Sequence, residues 1–291
     1  MTAQHDDTSK RITLPGSKGA IILRRLSSPE DYRECVHLQE ETWGGGFSEC
    51  VPASILMVSQ KIGGVTAGAF DERGEMIGFV FGLTGVKEGH LVHWSDMLAV
   101  RKDARGFGLG QALKLYQRDL LVPIGVEEIY WTYDPLVARN AHLNLDRLGA
   151  EIAEYVVEMY PDDSRSELHR GIGMDRFVVA WRITSERVNR ALAGTPDQLP
   201  DAVLDAPVVN VKLGSDGRSS PSENELKSLP FVRVEIPADI HAVRNESLDV
   251  ARRWRVSTRE AFLHYLGKGY QVKGFQRDAS SGRCFYILTG T

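Results

Sequence analysis

The chain has 291 residues, 42% of them hydrophobic and 25% charged, and its 35 Lys and Arg against 39 Asp and Glu leave a net charge of -4. A chain of this length buries about 75% of its unfolded surface, so it holds a core without a metal or a disulfide, and it is long enough for one large domain or two ordinary ones. The acidic balance speaks against a dedicated nucleic-acid binder, and no apolar run approaches the roughly 18 to 20 residues that cross a bilayer. The start, MTAQHDDTSKR, is polar and has no apolar signal core, and Cys35, Cys50 and Cys284 stand far apart in no metal-ligand spacing. These features predict a reduced, cytoplasmic protein with no metal, no membrane and no nucleic-acid partner.

Residues 1–18 read as a disordered or arm-like polar lead. A first strand is predicted over Ala20–Leu26, and Ser28-Pro29-Glu30 opens a helix, with Ser28 as N-cap and Pro29 where its missing N–H costs nothing. That helix stops at Gly44-Gly45-Gly46, and a second fits Pro52–Ile62. Strands follow at Val65–Phe70 and Glu75–Leu83 around a polar turn, Asp71–Gly74, and then at His90–Val100. After a glycine-rich turn, Leu109, Ala112, Leu113, Tyr116 and Leu120 line one face of a helix. A strand at Glu128–Tyr133, a helix at Ala138–Leu148 closed by Gly149, and strands at Ile152–Tyr160 and Phe177–Ile183 complete a mixed α/β domain over residues 19–185.

Residues 186–229 read as a short helix followed by a linker rich in Pro, Asp, Ser and Gly, with an apolar island at Val208–Leu213. Structure resumes over 230–291 with a strand at Phe231–Ile236, a helix near Ser247–Leu266 and strands at Tyr270–Phe275 and Cys284–Leu288. Arg139–Gly149 aligns without gaps with Arg259–Gly269; Arg, Ala, Leu and the closing Gly match in both. The tail is thus either a partial internal repeat or a second amphipathic helix that happens to end in glycine.

The most informative segment is the turn Arg105-Gly106-Phe107-Gly108-Leu109-Gly110, fed by a strand and opening directly into a helix. Glycines let the backbone approach a ligand, and a helix N-terminus offers unpaired N–H groups and a favourable dipole, so the turn suits a phosphate or pyrophosphate. A Walker loop needs Lys-Ser/Thr after its last glycine, where this chain has Gln111 and Ala112. The dinucleotide fingerprint fails at Gln111 or at Leu113. Arg/Gln-x-x-Gly-x-Gly/Ala does fit, on Arg105, Gly108 and Gly110.

On this loop and the order of the elements, residues 20–185 resemble the GNAT superfamily of acyl-CoA-dependent N-acetyltransferases. Within it the chain is similar to a group of predicted acetyltransferases of unassigned substrate that carry the stretches found here as Trp131–Leu136, Arg139–Leu145, Leu148–Ala150 and Asp175–Trp181. The resemblance implies a mostly antiparallel mixed sheet flanked by helices, with the tail as a smaller α/β extension like part of a second GNAT half. It implies acetyl-CoA as co-substrate. Arg105, Gly106, Phe107, Gly108, Leu109 and Gly110 would hold its pyrophosphate, and Met97, Leu98, Ala99 and Val100 its pantetheine arm. An amine would attack the thioester directly in a ternary complex, which calls for a base, a carbonyl polariser and an acid.

Asp96 is the first candidate base; plain alternation puts it on one face with Leu98 and Val100, and its rival role is to bind substrate or pair with an arginine. His93 reads as structural. The family's usual acid, a Tyr four residues before the glycine that ends the helix, is replaced here by Leu145. Tyr133, Asn140 and His142 are nearby substitutes, although Asn140 also suits helix-start capping and His142 an exposed helix position. Tyr265, the counterpart in the repeat, reads as a buried tyrosine with a polar handle. Arg165, His169 and Arg170, in the long Pro161–Asp175 segment, are candidates for an anionic substrate group or simply a solvated loop. Arg252, Arg253, Arg255 and Arg259 read as a solvated helix face, and Trp43 and Trp131 as core. The expected function is acetyl transfer to a small-molecule amine, in a chain that could be a homodimer. The rival, a non-catalytic acyl-CoA binder or regulator, gains from Leu145.

Overall fold

The computed structural model describes residues 8–17, 19–160, 171–215, 219–222 and 225–290. By its internal contacts the chain divides into two compact units. The first runs to Trp131 and includes Arg182–Thr184; the second begins at Thr132 and holds the rest of the described chain.

The first unit contains β1 (Lys10–Ile12), β2 (Ile21–Arg25), α1 (Pro29–Trp43), α2 (Ala53–Lys61), β3 (Val65–Phe70), β4 (Met76–Lys87), β5 (His90–Val100), α3 (Leu109–Leu121) and most of β6 (Glu128–Tyr133). Its strands lie side by side in the order β1 to β6, and every neighbouring pair is antiparallel except β5 and β6, which run parallel. This is a mixed α/β architecture built on a large, mostly antiparallel sheet. Two expectations are corrected here. Part of the predicted polar lead is ordered: β1 pairs with β2, a three-residue ladder too short for any periodicity to announce. And β4 runs on to Lys87, because its last residues pair with the start of β5 across a turn at Glu88-Gly89.

α1 starts as its sequence dictates. The Ser28 hydroxyl accepts from the Asp31 N–H at 3.1 Å, and the Asp31 carboxylate accepts from the Ser28 N–H at 3.2 Å, closing a capping box over Pro29. Arg24 clasps the same carboxylate at 2.6 and 2.8 Å. Burial raises the Asp31 pKa, but the Arg24 and backbone hydrogen bonds outweigh it and hold the group at about 2. The inner face of α1 joins α2 and the sheet in one core that includes Leu26, Tyr32, Cys35, Leu38, Leu56, Phe79, Phe81, Met97 and Ala99. The Leu, Phe and Met side chains among these contribute roughly 1.5–3 kcal/mol each when fully buried.

The second unit holds α4 (Ala138–Ala141), β7 (Glu151–Val156), β8 (Arg176–Arg182, which ends in the first unit), α5 (Glu186–Leu192), α6 (Asp201–Leu204), β9 (Val211–Leu213), β10 (Ser219–Pro221), β11 (Phe231–Ile236), α7 (Ile240–Glu246), α8 (Leu248–Gly267), β12 (Gln271–Arg277) and β13 (Cys284–Thr289). β7 and β8 are antiparallel, β9 and β10 make a small hairpin, and β13 lies between β11 and β12. The helix predicted over 138–148 is α-helical for one turn only; His142–Arg147 then widens into a π-helical segment. α7 was not anticipated: Asp239 caps it through the N–H groups of His241 and Ala242, and no apolar stripe marks it. Tyr133, Tyr155, Phe177, Phe262, Phe275 and Tyr286 form an aromatic cluster, with ring centroids 4.8–5.8 Å apart.

The two aligned helices share more than residues. Gly149 and Gly269 both take left-handed φ values, +69° and +86°. The strand after each carries a register shift, between Ile152 and Glu154 in β7 and between Val272 and Gly274 in β12. These irregularities fall at the alignment's own offset of 120 residues (272 − 152 and 274 − 154). The copies differ in the helix, since α8 is a regular α-helix where the first copy is π-helical.

Candidate functional site

The parallel ladder between β5 and β6 is short, joining Val92, His93 and Trp94 to Glu128, Ile129 and Tyr130. β5 then continues for six residues, Ser95–Val100, beyond that ladder. On its other edge β5 pairs with β4, and there Phe81 faces Met97 while Gly82 faces Ser95, so Asp96 is the extra residue of a β-bulge.

The bulge changes which residues share a face. Before it, His93 and Ser95 point to α3, bonding Gln117 at 3.0 Å and Lys114 at 2.6 Å. After it, Leu98 is the residue that reaches α3, against Gly110, while Met97 and Ala99 join the core under α1 and α2. Asp96 therefore does not share a face with Leu98 and Val100, as plain alternation predicts. It interacts instead with the Trp94 indole and feels Glu49, in the loop between α1 and α2. Asp96 keeps an exposed surface, yet the protein crowds it enough that desolvation raises its pKa; Trp94 opposes the rise and Glu49 adds to it. A carboxylate with raised basicity, freed from the ladder by a bulge, is suited to receive a proton.

The glycine turn ends at α3. Gly106 and Gly108 have φ of +91° and +87°, values that side chains disfavour, and a Cβ at either would meet nothing within 4 Å. The concave side of the turn is thus open. Gly108 is the N-cap of α3, no side chain caps the helix, and no acidic residue stands in its first turn. The N–H groups of Leu109 and Gly110 therefore present a positive helix end with no carboxylate in its own first turn. Arg105 folds back so that its Nε donates to the Val100 carbonyl at 2.8 Å. Phe107 packs on Gly16 of the lead, and Leu14, Ile21, Ile77, Phe107 and Leu109 line part of a cavity of about 460 Å³ beside the turn.

Sequence reading missed the polar layer under α3. Lys114 is buried; its Nζ lies 2.6 Å from Ser95 Oγ and 3.9 Å from the Trp131 ring centroid, where β5 and β6 stop pairing. Desolvation lowers its pKa well below the ordinary lysine value. His93 bonds Thr84 at 2.9 Å as well as Gln117, and burial, then the Lys114 charge, lower its pKa to about 3. His93 is structural, as expected. The one available signal was Gln117, a polar residue four positions after Leu113 on the apolar stripe.

In the second unit Tyr133 is buried, with its hydroxyl 3.2 Å from that of Tyr286, and desolvation raises its pKa. Asn140 is half-buried within α4 and is not its N-cap, a position held by Val137. His142 is exposed and bonds Asp146 at 2.7 Å. Leu145 is buried, and the Tyr265 hydroxyl donates to the Lys227 carbonyl at 2.9 Å, the polar handle expected of a core tyrosine. Of the α8 arginines, Arg252 and Arg253 are exposed as expected, but Arg255 and Arg259 are not part of a solvated face. Arg255 is 3% exposed and pairs with Asp134 at 2.7 Å, and Arg259 donates to Asp175 at 2.6 and 2.8 Å. The helix buries a face wide enough to carry them inward with Trp254, Thr258, Ala261 and Phe262. Trp43 packs in the first unit's core, edge-on to Phe79. Arg165, His169 and Arg170 lie outside the described residues.

Among the described residues no cluster of His, Cys, Asp and Glu is placed to hold a metal, and no helix is long and apolar enough to cross a membrane. No family model matches the sequence, and no curated protein matches it. Among solved structures the chain is similar to Arabidopsis thaliana Naa50 in complex with the bisubstrate analogue CoA-Ac-MVNAL, at 18% identity over 55% of this chain and 97% of that one, TM-score 0.43. It is similar to the ribosomal-protein-S18-alanine N-acetyltransferase from Escherichia coli, at 20% identity over 57% and 97%, TM-score 0.42. It is also similar to an acetyltransferase of the GNAT family from Streptococcus pneumoniae, at 15% identity over 55% and 98%, TM-score 0.43.

Proposed function

We propose that this chain is a GNAT-type acyltransferase that moves an acetyl group from acetyl-CoA to a small-molecule amine by direct attack in a ternary complex. The observation that carries the reading is the pairing, on one strand and the turn that follows it, of the Asp96 bulge with the uncapped glycine-bearing start of α3. The residues present fit the co-substrate. The backbone N–H groups from Phe107 to Gly110 would hold its pyrophosphate with Arg105 nearby, and Met97, Leu98, Ala99 and Val100 would pair with its pantetheine arm. When bound, acetyl-CoA supplies the thioester. Asp96 takes the proton of the incoming ammonium, directly or through a water, and its raised pKa brings it closer to the amine it must deprotonate. Tyr133, kept protonated by burial, is the group proposed to return a proton to the leaving sulfur; Asn140, an amide, can orient but not protonate.

The domain division proposed is a GNAT domain over 19–185, a helix and linker over 186–229, and an extension over 230–291 that repeats part of the GNAT half, supported by the coincident glycines and register shifts. The enzyme is proposed to work in the cytoplasm, where Cys35, Cys50 and Cys284 stay free thiols. The non-catalytic reading is favoured by one observation, the buried Leu145 where an acid belongs. Calorimetric titration with acetyl-CoA, with CoA and NADH for comparison, tests the cofactor. Saturable binding of acetyl-CoA and turnover of any amine are expected; binding without turnover would favour the regulator, and no binding would refute the loop assignment.

A further inference from the structure

The cavity of about 460 Å³ beside the glycine turn lies wholly within the first unit. Leu14, Ile21, Ile77, Phe107 and Leu109 give it an apolar floor. None of Met97–Val100, Gly106, Gly108 or Gly110 lines it, so it is not the place proposed for acetyl-CoA. Its rim is charged, but the charges answer one another. Arg73 donates to Asp71 at 3.3 Å and to Glu75 at 2.9 Å, Arg101 donates to Asp103 at 2.8 Å, and Glu72 lies 3.8 Å from Arg11. The walls are answered as well. Asp71 accepts from the N–H groups of Arg73 and Glu75, Glu72 accepts from the Ala20 N–H at 3.1 Å, and the Ser17 hydroxyl donates to the Gly19 carbonyl at 2.9 Å. No side chain that lines the cavity holds a buried polar atom without a partner among the described residues.

What remains for a ligand is apolar surface and the flat faces of two guanidiniums, not a charge or a free hydrogen bond. A charged ligand would lose hydration there with nothing to offset it. A neutral ring gains burial on the floor, contact with the Phe107 ring and stacking on Arg73 and Arg101. A dry cavity of about 150 Å³ holds benzene, so this one has room for roughly two or three fused rings. Phe107 ties the cavity to the turn. Its ring comes within 2.9 Å of where a Cβ on Gly16 would stand, a contact that glycine at that position permits. Its backbone stands between Gly106 and Gly108, residues that lose the most freedom when a loop is fixed. We propose that the cavity is a binding site for a neutral fused-ring aromatic molecule, and that its occupancy is felt at the turn through Phe107. A ligand packed on that ring holds the turn in the shape seen here and leaves less ordering to acetyl-CoA.

The coupling rests on the acetyl-CoA reading and the site does not, so the two are measured separately on the full chain. Calorimetric titration without acetyl-CoA uses 2-naphthol, with 2-naphthoate, 2-naphthylmethylamine and 1-octanol as its anionic, cationic and alkyl counterparts. 2-Naphthol is expected to bind saturably, more tightly than 1-octanol and about tenfold or more tighter than either charged ring. Ala104→Trp, which fills the cavity from its wall, should lower that affinity about tenfold or more. If that variant does not melt cooperatively, Leu14→Ala, which trims the floor at a half-buried position, should lower it about fivefold. Saturating 2-naphthol should then raise acetyl-CoA affinity about fivefold, and acetyl-CoA should raise 2-naphthol affinity by the same factor. No saturable binding of 2-naphthol, tighter binding of a charged ring or of 1-octanol, or an affinity that both variants leave unchanged would overturn the site. Equal acetyl-CoA affinity with and without 2-naphthol would overturn the coupling. If 2-naphthol binds as expected and acetyl-CoA does not bind at all, the site stands, and the coupling falls together with the acetyltransfer reading.

Discussion

Helices α1 and α3 both begin after a turn in the first unit, and they treat the same physical problem in opposite ways. Every helix start leaves backbone N–H groups without intrahelical partners. At α1 the chain answers them itself, with Ser28, Asp31 and the missing N–H of Pro29, and Arg24 neutralises the cap. At α3 a left-handed glycine stands at the N-cap, no side chain answers the N–H groups, and no acid stands in the first turn. The first start is complete, and the second is left open. Sequence similarity to a phosphate loop and the geometry of the helix end thus point to the same residues for independent reasons.

The comparison breaks most sharply if the unanswered start is closed. Gly108→Glu should lower acetyl-CoA affinity about a hundredfold or more, because the carboxylate takes the position of the phosphate and cancels at least two charge-assisted hydrogen bonds. Gly108→Ala is the control: it bears the same left-handed strain, about 1 kcal/mol in stability, without the negative charge. Equal losses in calorimetry for both variants would mean that the backbone shape, not the charge, governs the site. On the strand leading to the loop, Asp96→Asn should slow turnover about a hundredfold at neutral pH if Asp96 is the base. The defect should shrink as pH rises and free amine accumulates; a loss independent of pH would assign Asp96 to binding instead.

What the sequence made legible follows the same division. The Ser28-Pro29 start, the Asp71–Gly74 turn and the limits of β5 and β11 are local signals, written in the residues that form them. The bulge at Asp96 is not: it arises from the register of β4 against β5, so the strand's alternation assigns Asp96 to the wrong face. The ion pairing of Arg255 and Arg259 was illegible for a related reason, since charges on a helix read as solvated until their carboxylate partners, far away in sequence, are known. Lys114 escaped because its neighbours, Ser95 and Trp131, come from two other strands.

Further along α3, Lys114 lets pH test how the helix is seated. Its folded pKa lies well below the unfolded value, so at pH values between the two the unfolded chain holds a proton that the folded chain does not. Stability therefore rises with pH in that window, by about 1.4 kcal/mol per unit where the difference is a full proton. The buried Cys35 thiol, raised to about 12 first by desolvation, works the other way above the ordinary thiol pKa. The difference between the native chain and Lys114→Met isolates the lysine. Denaturant unfolding from pH 7 to pH 10 should show that difference moving in favour of the native chain, and a constant difference would show that Lys114 is charged in the fold.

The smallest effect completes the comparison from the closed side. Ser28→Ala removes the hydroxyl that accepts from the Asp31 N–H, leaves Pro29 and Arg24 in place, and should cost about 1 kcal/mol, within the range for lost N-caps. In a chain of this size that is a fall of about 2–4 °C in Tm. Acetyl-CoA affinity should not change, because the cap serves only its own helix. The two readouts together carry the decision. A stability loss with intact binding at Ser28, set against a binding loss at Gly108 that exceeds the Gly108→Ala control, separates a helix start that the chain completes from one that a ligand completes. If Ser28→Ala weakened acetyl-CoA binding as well, the seating of α1 would be coupled to the loop, and α3 would no longer be the only start in the pair with a functional role.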